Sequence, residues 1–194
     1  MSKSDPAQKS ERLKNIKWVT SIFLVTIAVS GVISFVSDKI MSGSGMFSAF
    51  LILFAIMLVG ILFDTVGVAV TSADESPFNS MASRKVPGAQ ESIRLLRNAE
   101  RVSSICNDVI GDICGVVSGS AAASISVQLI RNFGFNWPTL VSLVMSALVA
   151  GFTVDGKAVG KGFAVNSSTE IVHFVGKLIY SLGRIPKIFY KYKR

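Results

Sequence analysis

The stretch RVSSICNDVIGDICGVVSGSAAASISVQLI, residues 101–130, decides the fold of this chain. It is an apolar run of membrane-spanning length that contains two acidic residues, Asp108 and Asp112. Residues four apart project from one face of a helix, so both carboxylates are expected on the same face. Counted from Arg101 at about 1.5 Å per residue, they lie roughly 10 and 16 Å into the bilayer. Each ionised carboxylate at that depth costs about 2.5–3.5 kcal/mol, which predicts a cation or a shared proton beside them.

Three glycines spaced by four residues run beside this acidic face, at Gly111, Gly115 and Gly119. Small residues at this spacing allow a second helix backbone to approach closely. The pattern does not distinguish a contact within one chain from a contact between two copies. We expect a homodimer, and we leave open whether the glycines pack within one chain or between the two copies.

The composition predicts an all-α integral membrane protein. Half of the 194 residues are hydrophobic, and the mean hydropathy is +0.53. The net charge of +8 does not indicate nucleic-acid binding, because the basic residues cluster at the ends of apolar runs. Cys106 and Cys114 lie on one helix, about 12 Å apart along its axis, which is too far for a disulfide.

Four apolar runs predict four transmembrane helices, at residues 18–36, 46–63, 101–130 and 139–154. Residues 1–17 are predicted to form a basic cytoplasmic tail, and residues 183–194 a basic aromatic tail that binds anionic lipid headgroups. Of the twenty basic residues, only Lys39 and Arg131 fall in predicted external loops, so both termini are expected in the cytoplasm. The predicted location is the cytoplasmic membrane, as a multi-pass protein.

Two amphipathic segments are expected at the inner membrane surface. Residues 91–100 carry isolated apolar side chains among charges, which is typical of a short surface helix. Apolar residues recur at helical spacing over 168–182 and predict a cytoplasmic juxtamembrane amphipathic helix. The single histidine, His173, lies within this helix and is interpreted as an interfacial residue.

The second apolar run does not end cleanly, because Asp64, Thr65 and Gly67 follow Phe63 before a further apolar stretch. Polar residues and a glycine inside a span favour a helix that bends or opens there. Alternatively, Asp64 simply marks the cytoplasmic interface. The sequence supports the two interpretations about equally.

Three segments together resemble the transmembrane domain of the cyclin-M and CorB/CorC magnesium transporters. They are FDTVGVAVTSA (63–73), VPGAQESIRLLRNAERVSSICNDVIGD (86–112) and DGKAVGKGFAVNSSTEIVHFVGKLI (155–179). The resemblance covers roughly residues 46–182 and implies a three-helix core that begins outside the membrane. The helix at 18–36 would then be an additional N-terminal span. The resemblance also implies a homodimer that transports Mg²⁺.

The chain departs from that family at two positions within the third segment. Lys157 stands where the family has an acid after glycine, with Asp155 on the other side of Gly156. Gly160 stands where the family has proline. We also expect no counterpart, within these 194 residues, of the family's cytosolic nucleotide-sensing domains.

The candidate metal ligands are oxygen donors, which Mg²⁺ prefers while it retains several waters. We predict that Asp108 and Asp112 hold the transported Mg²⁺, with help from Asn107, Ser104 and Asp64, and that Na⁺ is a candidate coupling ion. The simpler alternative is that one or two of the acids pair with Lys157 or Arg101. For Asp155, an interfacial pair is the favoured interpretation.

Two other functions stay open. A non-transporting membrane scaffold or accessory subunit would have dispensable acids. An intramembrane aspartyl protease is a remote alternative, because Phe63-Asp64 and Gly111-Asp112 are only faintly similar to its paired aspartates. The sequence has no P-loop, zinc-ligand spacing or Ser/His triad, so we predict neither an enzyme nor an organic cofactor.

Overall fold

The apolar runs of the sequence fold into long helices in the computed structural model, which describes residues 6–43 and 45–191. Every regular element in that part of the chain is helical. In chain order the elements are α1 (Pro6–Gly43), α2 (Met46–Ser72), α3 (Ser76–Ser83), α4 (Ala89–Arg97), α5 (Ala99–Ser104), a π-helical turn (Ile105–Gly111), α6 (Asp112–Phe133), α7 (Pro138–Asn166) and α8 (Ser168–Lys191).

Three helical stretches among the described residues are long and apolar enough to cross a membrane: Met46–Ser72, Ala99–Phe133 and Pro138–Asn166. The prediction of an all-α protein with several membrane-spanning helices is confirmed to this extent. The apolar part of α1, Val19–Phe35, is shorter than these three. The fourth span therefore stays a prediction.

The membrane-spanning helices α2, α6 and α7 pack against one another and form the centre of the bundle. Near the ends at which α2 begins and α6 finishes, these helices and α7 share an apolar core. Its buried members are Ala49, Leu53, Met57, Ala121, Ala122, Ile125, Met145 and Val149. Helix α1 lies against α6, where Ile22 and Ile33 contact Val109, Ile113 and Val117.

The opposite end of the bundle, which we call the α4–α8 end, is wrapped by α3, α4 and α8. Their apolar faces cover the last turns of α2 in a second core, formed by Ala69, Val70, Phe78, Ala164 and Val172. Helices α4 and α8 cross so closely that a methyl group at Gly176 would lie 2.6 Å from the carbonyl oxygen of Gly88. The hydroxyl of Ser92 donates a hydrogen bond of 3.1 Å to the carbonyl of Val172 across this crossing.

Two predicted helix ends were wrong. Helix α7 does not stop at residue 154 but continues through Asp155-Gly156-Lys157 to Asn166. Helix α1 extends over most of the loop predicted at residues 37–45, and it begins at Pro6 within the predicted basic tail, of which residues 1–5 lie outside the described part. Lysine, serine and aspartate are poor markers of a helix end, because they are tolerated within helices where their side chains reach water or a partner.

Of the two interpretations of Asp64, an opening of the helix is not found, since α2 is one continuous helix from Met46 to Ser72. The irregularity lies instead in the neighbouring acidic helix, where residues 105–111 form the π-helical turn. A π-helical turn widens the helix by one residue and occurs most often at functional sites. It therefore directs attention to the contact between this turn and α2.

Candidate functional site

Asp64 lies at the junction of the three central helices. It is only 4% exposed, so its carboxylate is enclosed by protein although it lies within a membrane-spanning helix. A charge in such surroundings is costly unless it meets an opposite charge or hydrogen-bond donors. The surroundings of this carboxylate therefore define the candidate site.

Helix α7 provides the opposite charge. Nζ of Lys157 lies 3.6 Å from Oδ1 of Asp64, and Nζ of Lys161 lies 3.9 Å from Oδ2. The two lysines are four residues apart and thus share one face of α7. Lys157 is mostly enclosed, with 23% of its side chain exposed, whereas the side chain of Lys161 is 54% exposed.

Two glycines on the same face of α7 bring these lysines close to α2. A methyl group at Gly156 would collide with the side chain of Ile61, and one at Gly160 with the hydroxyl of Thr65. The Thr65 hydroxyl donates instead to the carbonyl of Ile61, at 2.8 Å. The glycines thus let the backbone of α7 pass directly beside Asp64.

On its other side, α2 packs against the acidic helix through small residues. A methyl group at Gly60 would lie 2.8 Å from Cβ of Cys114, and one at Gly67 would collide with Oδ1 of Asn107. Between these two contacts, a methyl group at Gly111 would lie 3.4 Å from Nζ of Lys157. The π-helical turn therefore lies directly beside the Asp64–Lys157 pair, because Gly111 has no side chain that would hold the two apart.

Two oxygen atoms at this junction lack hydrogen-bond donors. Oδ2 of Asp64 and Oδ1 of Asn107 are buried without a hydrogen-bond partner among the described residues. The amide group of Asn107 donates to Ser103 Oγ at 3.2 Å, which holds the side chain in place. Since Gly67, which Asn107 contacts, lies one helical turn from Asp64, the two oxygens are about one turn apart along α2.

The site lies toward the α4–α8 end of the membrane-spanning helices. At about 1.5 Å per residue, Asp64 is roughly 27 Å from Met46, Lys157 roughly 28 Å from Pro138, and Gly111 roughly 33 Å from Phe133. The hydrocarbon core of a bilayer is about 30 Å thick, so Asp64 and Lys157 would lie near its edge if these helices cross it from their opposite ends. Asp112 directly follows Gly111 and therefore lies at about the same depth. This depth in the bilayer is smaller than the depth that a count from Arg101 predicts.

The structure separates the five predicted metal ligands into two groups. Asp64 and Asn107 both lie at the central junction, about one helical turn apart along α2. Asp108 and Asp112 are both exposed on the outer surface of the bundle. The Ser104 hydroxyl donates to Asp108 Oδ2 at 2.9 Å, so these two residues stay together on the outward side. Among the described residues, no three His, Cys, Asp or Glu side chains are grouped closely enough to hold a metal ion.

The predicted glycine ladder is divided in the same way. Gly111 contacts the junction, whereas a methyl group at Gly115 or Gly119 would meet nothing within 4 Å. Two of the three glycines therefore make no close packing contact with the described residues. They lie on the outer side of α6, beside Asp112.

Sequence reasoning missed the role of the lysine-bearing face of α7. The spacing of Gly156, Lys157, Gly160 and Lys161 was a usable signal, because positions four apart form one small and basic helix face. The interpretation of residues 155–157 as a helix end concealed it. The alternative that Lys157 pairs with one of the acids is the arrangement found for Asp64.

No model of a known protein family and no curated protein matches this sequence. The resemblance to the cyclin-M and CorB/CorC transporters thus remains a prediction from three segments. The candidate function depends on the geometry of the site.

Proposed function

We propose that this protein transports a divalent cation, most simply Mg²⁺, across a membrane, and that Asp64 is its central ligand. The observation that supports this proposal is the burial of a carboxylate at the meeting point of three apolar helices. Ionisable groups inside membrane-spanning helices are expensive, and they commonly mark an ion pathway.

The oxygens at the junction suit such a cation. A carboxylate and an amide oxygen are hard ligands, and Mg²⁺ retains several waters when few protein ligands are available. Oδ2 of Asp64 and Oδ1 of Asn107 are both buried without donors, so each has a lone pair available. In this proposal they replace part of the hydration shell, and water provides the remaining ligands.

The position of the site suggests how the cation reaches it. The half-exposed Lys161 lies between the junction and the surface at the α4–α8 end. The distance from the junction to water is shorter at this end than at the opposite end of the bundle. We place this end in the cytoplasm, in agreement with the basic residues of α4 and α8. The π-helical turn supplies an irregular element that can change its winding when the cation passes.

Further parts of the proposal concern the surroundings of the protein. We place it in the cytoplasmic membrane as a homodimer, with α8 as a juxtamembrane helix and the basic C-terminal tail on anionic headgroups. Helix α8 supports this placement, because Phe174, Leu178 and Leu182 are exposed on it. Apolar side chains on the outer face of an amphipathic helix favour the membrane surface.

The deciding experiment is Mg²⁺ flux into proteoliposomes. We expect Asp64→Asn to abolish flux, because the amide has no charge with which to hold a dehydrated cation. The exposed Lys177→Ala serves as the control and should transport normally. Flux that survives in Asp64→Asn but disappears in Asp108→Asn or Asp112→Asn would place the ligands on the outer face of α6. No flux in the wild type would refute the transport function.

A second candidate function is a non-transporting scaffold or accessory subunit. It is favoured by the fact that each carboxylate oxygen of Asp64 already faces a lysine, as expected of a structural ion pair. It predicts that Asp64→Asn lowers stability only, and that the isolated protein neither binds nor moves Mg²⁺.

A further inference from the structure

We infer that Lys157 and Lys161 are tethered cations that occupy the Asp64 site and that the transported cation must displace them. This inference rests on the proposed function and specifies how its site is regulated. In the arrangement described above, α7 supplies the positive charge that the carboxylate needs.

The charges at the junction lead to this inference. One carboxylate faces two ammonium groups, so the cluster of Asp64, Lys157 and Lys161 carries one excess positive charge. Like charges about 4 Å apart in a partly buried site repel each other. A dication that joined both lysines at Asp64 would therefore meet their repulsion, which favours departure of a lysine when the dication binds.

Neither lysine is held to Asp64 by a hydrogen bond. Both Nζ–Oδ distances, 3.6 and 3.9 Å, exceed hydrogen-bonding distance, and Oδ2 of Asp64 has no donor among the described residues. Lys161 is already half exposed and can extend its flexible stem into water. Lys157 is more enclosed, because Gly111 and the π-helical turn lie beside its ammonium group.

The two lysines are consequently expected to differ in strength as competitors. Lys157 is the stronger competitor, since a mostly enclosed ammonium group is less screened by water than an exposed one. Departure of Lys157 also requires space beside Gly111, so displacement is coupled to the winding of the π-helical turn. Lys161 contributes a weaker, screened repulsion.

The test measures Mg²⁺ binding by the thermal stability of the purified full-length protein, because a ligand that binds only the folded state raises the melting temperature. The variants are Lys157→Met, which removes the charge at similar size, Lys157→Arg, which retains it, and Lys161→Met. A titration with NaCl at matched ionic strength separates specific Mg²⁺ binding from screening.

We expect the half-saturating Mg²⁺ concentration of Lys157→Met to be at least about tenfold lower than that of the wild type, with a smaller decrease in Lys161→Met. Lys157→Arg should bind no more tightly than the wild type. If Lys157→Met is unfolded without Mg²⁺, its refolding on addition of Mg²⁺ also supports the competition. Equal half-saturation in Lys157→Met and wild type, or no Mg²⁺ response in any variant, would overturn the competition.

The variant Asp64→Asn/Lys157→Met separates this inference from the proposed function. Tight Mg²⁺ binding by Lys157→Met that is lost in the double variant supports both. If flux depends on Asp64 while Lys157→Met leaves Mg²⁺ affinity unchanged, only the competition is wrong. If neither flux nor binding depends on Asp64, the proposed site itself is wrong.

Discussion

The ammonium group of Lys157 lies 3.6 Å from Oδ1 of Asp64, and both side chains are largely enclosed between α2, α7 and the π-helical turn. The pair joins two helices that also meet through glycines at Gly156 and Gly160. A buried ion pair depends on both partners, because each charge alone would be left without compensation.

The first prediction is that Asp64 and Lys157 are energetically coupled. Asp64→Ala should lower the free energy of unfolding by roughly 3–5 kcal/mol at most, because it leaves a partly buried ammonium unpaired. The double variant Asp64→Ala/Lys157→Met should recover part of this loss. A double-mutant cycle from melting temperatures in detergent measures the coupling, and strictly additive losses would contradict it.

The second prediction concerns the close contact of α7 with α2. Gly160→Ala should destabilise the protein by about 1–3 kcal/mol, because the new methyl group collides with the Thr65 hydroxyl. Gly162→Ala is the matched control on the same helix, since its methyl group meets nothing within 4 Å. Chemical denaturation or melting of the two variants compares them, and equal stabilities would show that α7 does not pack as described.

The third prediction concerns the proposed homodimer. Gly115→Leu should leave the fold of the single chain intact, because no atom lies within 4 Å of the added Cβ. It should prevent a second helix from approaching this face of α6 and thereby shift the protein toward monomers. Light scattering of the detergent-solubilised protein measures the mass. A dimer that persists unchanged in Gly115→Leu would place the interface elsewhere.

The fourth prediction concerns the crossing of α4 and α8. Gly176→Ala should detach α8 from α4, because its methyl group would collide with the Ser92 hydroxyl and press against the Gly88 carbonyl. Gly183→Ala on the same helix meets nothing within 4 Å and is the control. We expect faster proteolysis within α8 in Gly176→Ala only. Equal proteolysis of both variants would argue against this crossing.

The fifth prediction is the orientation of the chain. A cytoplasmic reporter fused after Arg194 should be active, and a reporter inserted at Asn136, between α6 and α7, should indicate the external side. An external reporter that is active after Arg194 would reverse the proposed orientation.

Sequence patterns predicted the existence of the central helices better than the location of the site. The apolar runs are long, and length with hydropathy suffices to recognise a membrane-spanning helix. The helix ends are harder to predict, because charged residues such as Asp155 and Lys157 mark a membrane interface without ending the helix, and α7 continues through them to Asn166.

The candidate site could be predicted only in part, for a physical reason. The sequence identifies Asp64 and Asn107 as candidate oxygen ligands for a metal ion. Whether the two side chains lie near each other depends on how α2 and the π-helical turn face each other. The spacing of Asp108 and Asp112 predicts a shared face, and in the structure both residues are exposed. It did not specify whether that face points inward or outward, because a helix pattern contains no information on the rotation of one helix against another.

The π-helical turn at residues 105–111 is a place where this fold is expected to tolerate the deletion of one residue. A π turn holds one residue more than the α-helix it replaces, so loss of one residue there lets the segment rewind as an ordinary α-helix. The same loss within α7 would rotate every later side chain by about 100° and turn Lys157 or Lys161 away from Asp64. A chain shortened by one residue is therefore expected to keep its fold when the gap lies in 105–111, and to lose the lysine-lined junction when the gap falls in α7 ahead of Lys157.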